Sequence, residues 1–193
     1  MKLKCMSRAK IRHLLNSRTQ SPAREWLTDV YELDSQLLLW RSGLSGQLSY
    51  TKRNLYEQPV INHQSLFILL HALYHQCRTV LHSSLVPQFS GLPLPETVPV
   101  AFINVSARVA LRSAQEISSL GADLLALDWD PCRIPGFVGY CMYVSASIQI
   151  AVLGCTDSPL KDCAWNSLVS NMKWLTSMQI YWLHLGKLVS RES

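Results

Sequence analysis

Three imidazoles and a guanidinium lie within one short stretch of the chain, at His71, His75, Arg78 and His82. At about 100° per residue, spacings of four and seven put the three histidines on one face of a helix. Neutral imidazole is a good ligand for zinc, so metal binding is the first chemistry to weigh. However, His82 would stand about 10 Å along the axis from His75 at roughly 1.5 Å of rise per residue. Three ligands spread in this way cannot share one ion, and His71 with His75 would need partners from elsewhere. No Glu follows His71, so the metalloprotease pattern with its general base is missing. The four residues are therefore read as a candidate effector or partner face, hydrogen-bonded or solvated.

Other reactive groupings are weaker. Cys155, Asp157, Asp162 and Cys163 crowd one turn, with too few ligands there for a metal site. Asp128 and Asp130 bracket Trp129 in a Pro-bounded loop, where carboxylates serve as turn and cap residues. There is no Gly-x-Ser-x-Gly elbow and no phosphate-cradling glycine loop. The six cysteines, at 5, 77, 132, 141, 155 and 163, include no pair two residues apart, so zinc-finger spacing is absent. No catalytic residue and no metal ligand is assigned.

Cationic chemistry is concentrated at the start. Residues 1–24 hold seven Lys and Arg and no acid, whereas the remaining eleven basic and thirteen acidic residues leave the body at −2. Lys2, Lys4, Arg8, Lys10 and Arg12 are thus candidates for non-specific phosphate contact or for an import receptor. Ile11, Leu14 and Leu15 are too few for the apolar stretch of a signal peptide.

The elements that must position these groups read as helices. Ser21 and Pro22 make a good N-cap and first position, followed by an apolar face of Trp26, Leu27, Val30, Leu33, Leu37, Leu38 and Trp40 that Gly43 and Gly46 terminate. Residues 47–63 look irregular. The histidine-bearing helix covers Leu66 to Leu85, with Leu66, Leu69, Leu70, Leu73, Cys77, Val80 and Leu81 as the stripe expected to be buried and Gln64 joining the histidines opposite. A Pro- and Gly-rich loop follows. A third helix runs from Val100 to Leu127 with Phe102, Val105, Val109, Ile117, Leu120 and Leu124 inward, and Gly121 as a bend or break. An apolar segment spans Phe137 to Leu153, closed by Gly154 and Pro159. The last helix runs from Ala164 to Val189 on a stripe of Leu168, Met172, Leu175, Met178, Trp182, Leu185 and Val189. The fold class is all-α: a bundle or array of about five to six amphipathic helices with Pro/Gly-rich loops. Ile134 to Thr156 carries no formal charge and is long enough to span a bilayer, but Pro135, Gln149 and several serines favour a buried helix.

Taken in order, several segments resemble the fungal-specific transcription factor domain, the middle homology region of binuclear zinc-cluster regulators. They are Glu32-Leu33-Asp34 with Leu38-Leu39-Trp40-Arg41; Leu69 to Arg78 with Leu81-His82; Ala107 to Ile117; Gly136-Phe137-Val138-Gly139-Tyr140-Cys141; and Met172 to Met178 with Tyr181-Trp182. Gly43-Leu44 and Ser83-Ser84 depart from the family pattern. The resemblance covers about residues 25–190, after the basic segment 1–24. It implies a regulatory domain in the nucleus, controlling transcription by RNA polymerase II of metabolic or biosynthetic-cluster genes. It also implies co-regulators or self-association as partners, and no membrane. The family reads DNA through six clustered cysteines holding two zinc ions. Here the six cysteines are spread over 159 positions, so zinc, and DNA contact through it, would require a cluster upstream of this chain. A small helical enzyme, metal-dependent or otherwise, and a single-span membrane protein are the competing readings.

Overall fold

Local sequence signals account for where the helices start and stop. The computed structural model describes residues 23–57, 63–93 and 98–182, which form seven α-helices and two 3-10 turns and, among the described residues, no strand. The helices are α1 (Ala23–Ser42), α2 (Lys52–Glu57), α3 (Gln64–Ser83), α4 (Pro87–Ser90), α5 (Val100–Ala126), α6 (Gly136–Leu153) and α7 (Ser158–Met178). The 3-10 turns are Gly46–Leu48 and Pro131–Arg133. Five helices are long, and the architecture is the expected all-α bundle. Ser21, Pro22, Leu185 and Val189 lie outside the described residues, as do Lys2, Lys4, Arg8, Lys10 and Arg12.

α5 is the central strut, packed against α3, α6 and α7. The main core joins Phe67, Ile68 and Ala72 of α3, Ile117, Leu120 and Leu124 of α5, Val138, Cys141 and Met142 of α6, and Trp174, Leu175 and Met178 of α7. A second apolar cluster docks α1: Trp26, Leu27, Val30 and Leu33 meet Leu81, Leu85 and Val98. Leu38, expected on that face, is instead exposed.

Three expectations are corrected. The first half of α5 does not bury Phe102 and Val105, which are exposed. It buries Ser106, Ala110 and Ser113 there, and Ala114, Ser118 and Gly121 continue the series beside Ile117, Leu120 and Leu124. These small residues recur at helical spacing and let neighbouring backbones approach closely. Gly121 does not break α5, which runs unbroken through it; a Cβ there would lie 3.0 Å from the Met142 methyl of α6. Finally, Pro159 opens α7 instead of closing α6. Asp157 is its N-cap, accepting a hydrogen bond from the Leu160 N–H at 3.2 Å, and Pro159 occupies the first turn, where no amide donor is needed.

The apolar segment forms α6, the one helix among the described residues long and apolar enough to cross a membrane. It packs against the bundle with Ser145 and Gln149 fully buried and Phe137, Tyr140 and Ile150 exposed. Ser145 belongs to a polar knot. The Ser145 and Ser118 hydroxyls both donate to the Ala114 carbonyl, at 2.7 and 3.1 Å. The Asn171 amide donates its two hydrogens back to the two hydroxyl oxygens, at 3.0 and 3.1 Å. Each hydroxyl proton is used once and each amide hydrogen once, so α5, α6 and α7 are tied at one level of the core.

Candidate functional site

The stretch expected to be irregular, 47–63, contains α2, and with the turn before it α2 covers part of α3. The Thr51 hydroxyl accepts from the Asn54 N–H at 3.0 Å, and the Asn54 side chain donates to the carbonyls of Gly46 and Ser49 at 2.8 and 2.7 Å. This closed loop plants Leu55, fully buried, in the main core. It also brings the Leu48 carbonyl to 3.0 Å from His71 Nε2. Nε2 must carry the proton for that bond, which fixes the tautomer. Burial pushes the His71 imidazole down to about 4, against the raising effect of the Leu48 carbonyl, with the nearby Arg41 charge adding to the depression.

The histidine face of α3 is therefore interior. His71, His75 and His82 are 4%, 7% and 0% exposed, while of the expected stripe Leu81 is buried, Leu66 is 64% exposed and Leu69, Leu70, Leu73, Cys77 and Val80 are only half-buried. The expected orientation is reversed because α3 is covered on several sides, by α1, α2, α5 and α6. Its imidazoles pack as flat rings. His71 meets Phe67 and Tyr50 edge-on at centroid distances of 4.6 and 5.2 Å. His75 meets Tyr74 at 4.9 Å, and His82 meets Tyr31 at 5.9 Å.

The four predicted residues separate into three environments. His71 belongs to the α2 loop. At the other end, His82 and Arg78 converge on Asp34 of α1, which sequence reasoning missed as a site residue. Arg78 grips the Asp34 carboxylate with two donors, Nε at 2.6 Å and Nη2 at 3.0 Å. His82 Nε2 stands 3.4 Å from the same carboxylate, without hydrogen-bond geometry, and its Nδ1 is 3.2 Å from the Ser106 hydroxyl of α5. The Tyr31 hydroxyl reaches the same Ser106 oxygen at 3.5 Å. Burial alone would raise the Asp34 acid. The close approach of His82, the two hydrogen bonds from Arg78 and the charge of both outweigh it and hold the carboxyl down at about 2. The signal available in the sequence was Asp34 itself, an acid one position after the buried Leu33 on a face otherwise apolar.

Between these ends, His75 and Arg78 form part of the wall of a cleft of about 440 Å³. Leu38 and Arg41 of α1 and Arg108, Val109, Arg112, Ser113 and Glu116 of α5 complete it. His75 Nδ1 has no protein partner. Burial pushes its imidazole down to about 3, and the positive field of Arg41, Arg78 and Arg112 adds to the effect. Tyr74 lies between two of these cations: the guanidinium carbons of Arg41 and Arg78 are 5.2 and 5.9 Å from its ring centroid. Attraction to the ring face offsets part of the repulsion between them.

No group of three His, Cys, Asp or Glu among the described residues could hold a metal ion. The five cysteines among the described residues do not come together as a binuclear zinc cluster would require. Cys141 is buried in the core, Cys77 is half-buried on α3, and Cys132, Cys155 and Cys163 are exposed on separate elements. Asp157 and Asp130 serve as caps, Asp130 accepting from the Cys132 N–H at 3.0 Å.

No family model matches the chain, and no solved structure does. The chain is 25% identical over 158 residues to the Zn(2)-C6 fungal-type transcription factor FTF1c of Fusarium oxysporum f. sp. lycopersici. That alignment covers 81% of this chain and 15% of the relative, so the chain spans a small part of that protein's length.

Proposed function

We propose that residues 25–190 are the regulatory, middle homology domain of a fungal zinc-cluster transcription factor. It acts in the nucleus on transcription by RNA polymerase II of metabolic or biosynthetic-cluster genes. The 158-residue likeness to a Zn(2)-C6 transcription factor carries this reading, and the all-α bundle agrees with it. The domain works through co-regulators or self-association. Specific DNA contact comes from a zinc-cluster segment outside this chain, and residues 1–24 supply at most salt-sensitive phosphate contact or an import signal. The physical basis of regulation is the docking of α1. It is held by one apolar cluster and by the Asp34–Arg78–His82 clasp, so anything that binds the docked and undocked arrangements unequally shifts their balance.

Fusing the chain to a heterologous DNA-binding domain tests this reading. Reporter output should differ from that of the DNA-binding domain alone, and loosening the clasp with Asp34→Asn should change it again. Gel shifts of the unfused chain at physiological salt should show no sequence preference. A selective shift, or a fusion indistinguishable from the bare DNA-binding domain, would contradict the proposal.

A further inference from the structure

We propose that the cleft between α1, α3 and α5 binds a small dianion, a dicarboxylate or a phosphate monoester, through Arg41, Arg78, Arg108 and Arg112. Three helices deliver four guanidinium groups to one cavity, opposed on its wall by the single carboxylate of Glu116. Arg78 is already paired with Asp34. Arg41, Arg108 and Arg112 have no acidic side chain within ion-pair distance among the described residues. Counting Asp34 and Glu116 against the four cations leaves two positive charges to be met.

A low-dielectric cleft lined by one sign of charge concentrates counter-ions. Guanidinium forks match carboxylate and phosphate oxygens two at a time. The volume of about 440 Å³ falls in the range of small-ligand sites. A second observation points the same way. His75 is 93% buried on the cleft wall with its Nδ1 unpartnered. That nitrogen is itself sealed from solvent, so a turn of the ring toward the cleft would let it donate to a ligand oxygen while the imidazole stays neutral. Arg108 and Arg112, four apart on one face of α5, sit at the exposed rim, where they can close on a ligand without repacking the core.

This deepens the regulatory reading by naming the chemical class of its effector, yet its test reads binding directly and does not pass through a reporter. The full chain is titrated calorimetrically with inorganic phosphate, glycerol phosphate, malate, acetate and glycerol. Saturable binding of phosphate compounds or malate is expected, with acetate at least tenfold weaker and glycerol inert. Preference between glycerol phosphate and malate decides which dianion the cleft takes. Arg108→Gln with Arg112→Gln should weaken binding at least tenfold with the thermal midpoint unchanged. Arg53→Gln, outside the cleft, should leave it intact. Binding should also move the His75 ring resonances. No saturable binding of any dianion, or binding that survives the Arg108 and Arg112 replacements, would overturn the proposal. None of these outcomes bears on the fusion experiment.

Discussion

Replacing Asp34 by Asn should cost this protein about 3 kcal/mol at neutral pH. Two routes bracket that figure. The carboxyl is held at about 2 against an ordinary 3.8, which at roughly 1.4 kcal/mol per unit amounts to about 2–3 kcal/mol. Removing one partner of a buried ion pair costs about 3–5 kcal/mol, at the low end here because the Asp34 and Arg78 side chains keep 10% and 14% exposure. Because the folded state depresses this acid, its contribution is complete above pH 3.8 and is lost as pH falls through about 2. The gap between wild type and Asp34→Asn should therefore shrink to roughly half by about pH 3. Urea unfolding followed by circular dichroism at several pH values measures it. The double replacement Asp34→Leu with Arg78→Met should recover most of the loss, since an apolar pair of similar volume removes the stranded charge. A cost below about 0.5 kcal/mol at neutral pH, or a gap that ignores pH, would refute the assignment of the clasp as a charged tie.

Other outcomes follow from neighbouring parts of the molecule. His71 is buried with its imidazole pushed down to about 4, so it supplies stability above the unfolded value of 6.5 that is lost as pH falls toward 4, up to about 3 kcal/mol. His71→Gln keeps a donor for Leu48 without titrating and should reduce the pH slope of the unfolding free energy between those limits, leaving the part that His75 contributes; an unchanged slope would argue against this role. Gly136→Ala would bring a methyl within 2.8 Å of the Trp182 ring, lowering the unfolding free energy by about 1–3 kcal/mol; a thermal midpoint at or above wild type counts against the stacking. Asn171→Ala should cost about 2–3 kcal/mol in urea unfolding by removing both amide hydrogen bonds and opening a void, whereas Ser170→Ala on the outer face should stay within about 0.5 kcal/mol.

The sequence disclosed those parts of the fold where apolar character and burial coincide. The α1 face from Trp26 to Leu37 and the inner positions Leu175 and Met178 of α7 are of this kind. It misled where they diverge. On the first half of α5 the buried face is built of Ser and Ala, so scanning for large apolar residues selected Phe102 and Val105 on the wrong side there, while Ile117, Leu120 and Leu124 further along are buried as expected. On α3 both faces are suitable for burial, because a neutral imidazole with one nitrogen satisfied packs much as a phenyl ring does. No pattern within the helix shows that α2 and the turn before it will cover His71. The cleft was invisible for a related reason. Arg41, Arg78 and Arg108 are distant in sequence, and only the docking of α1 and α3 on α5 brings them together.

The hydroxyl–amide knot of Ser118, Ser145 and Asn171 has a consequence for uniqueness of the fold. Aliphatic side chains tolerate small rotations of a helix about its axis, since one methyl contact replaces another. A turn of α7 by one residue would instead swing the Asn171 amide away from both hydroxyl acceptors into hydrocarbon and leave its two hydrogens without partners. This knot therefore acts as a key with one fitting orientation, selecting a single rotational setting of three helices whose greasy surfaces alone would accept several.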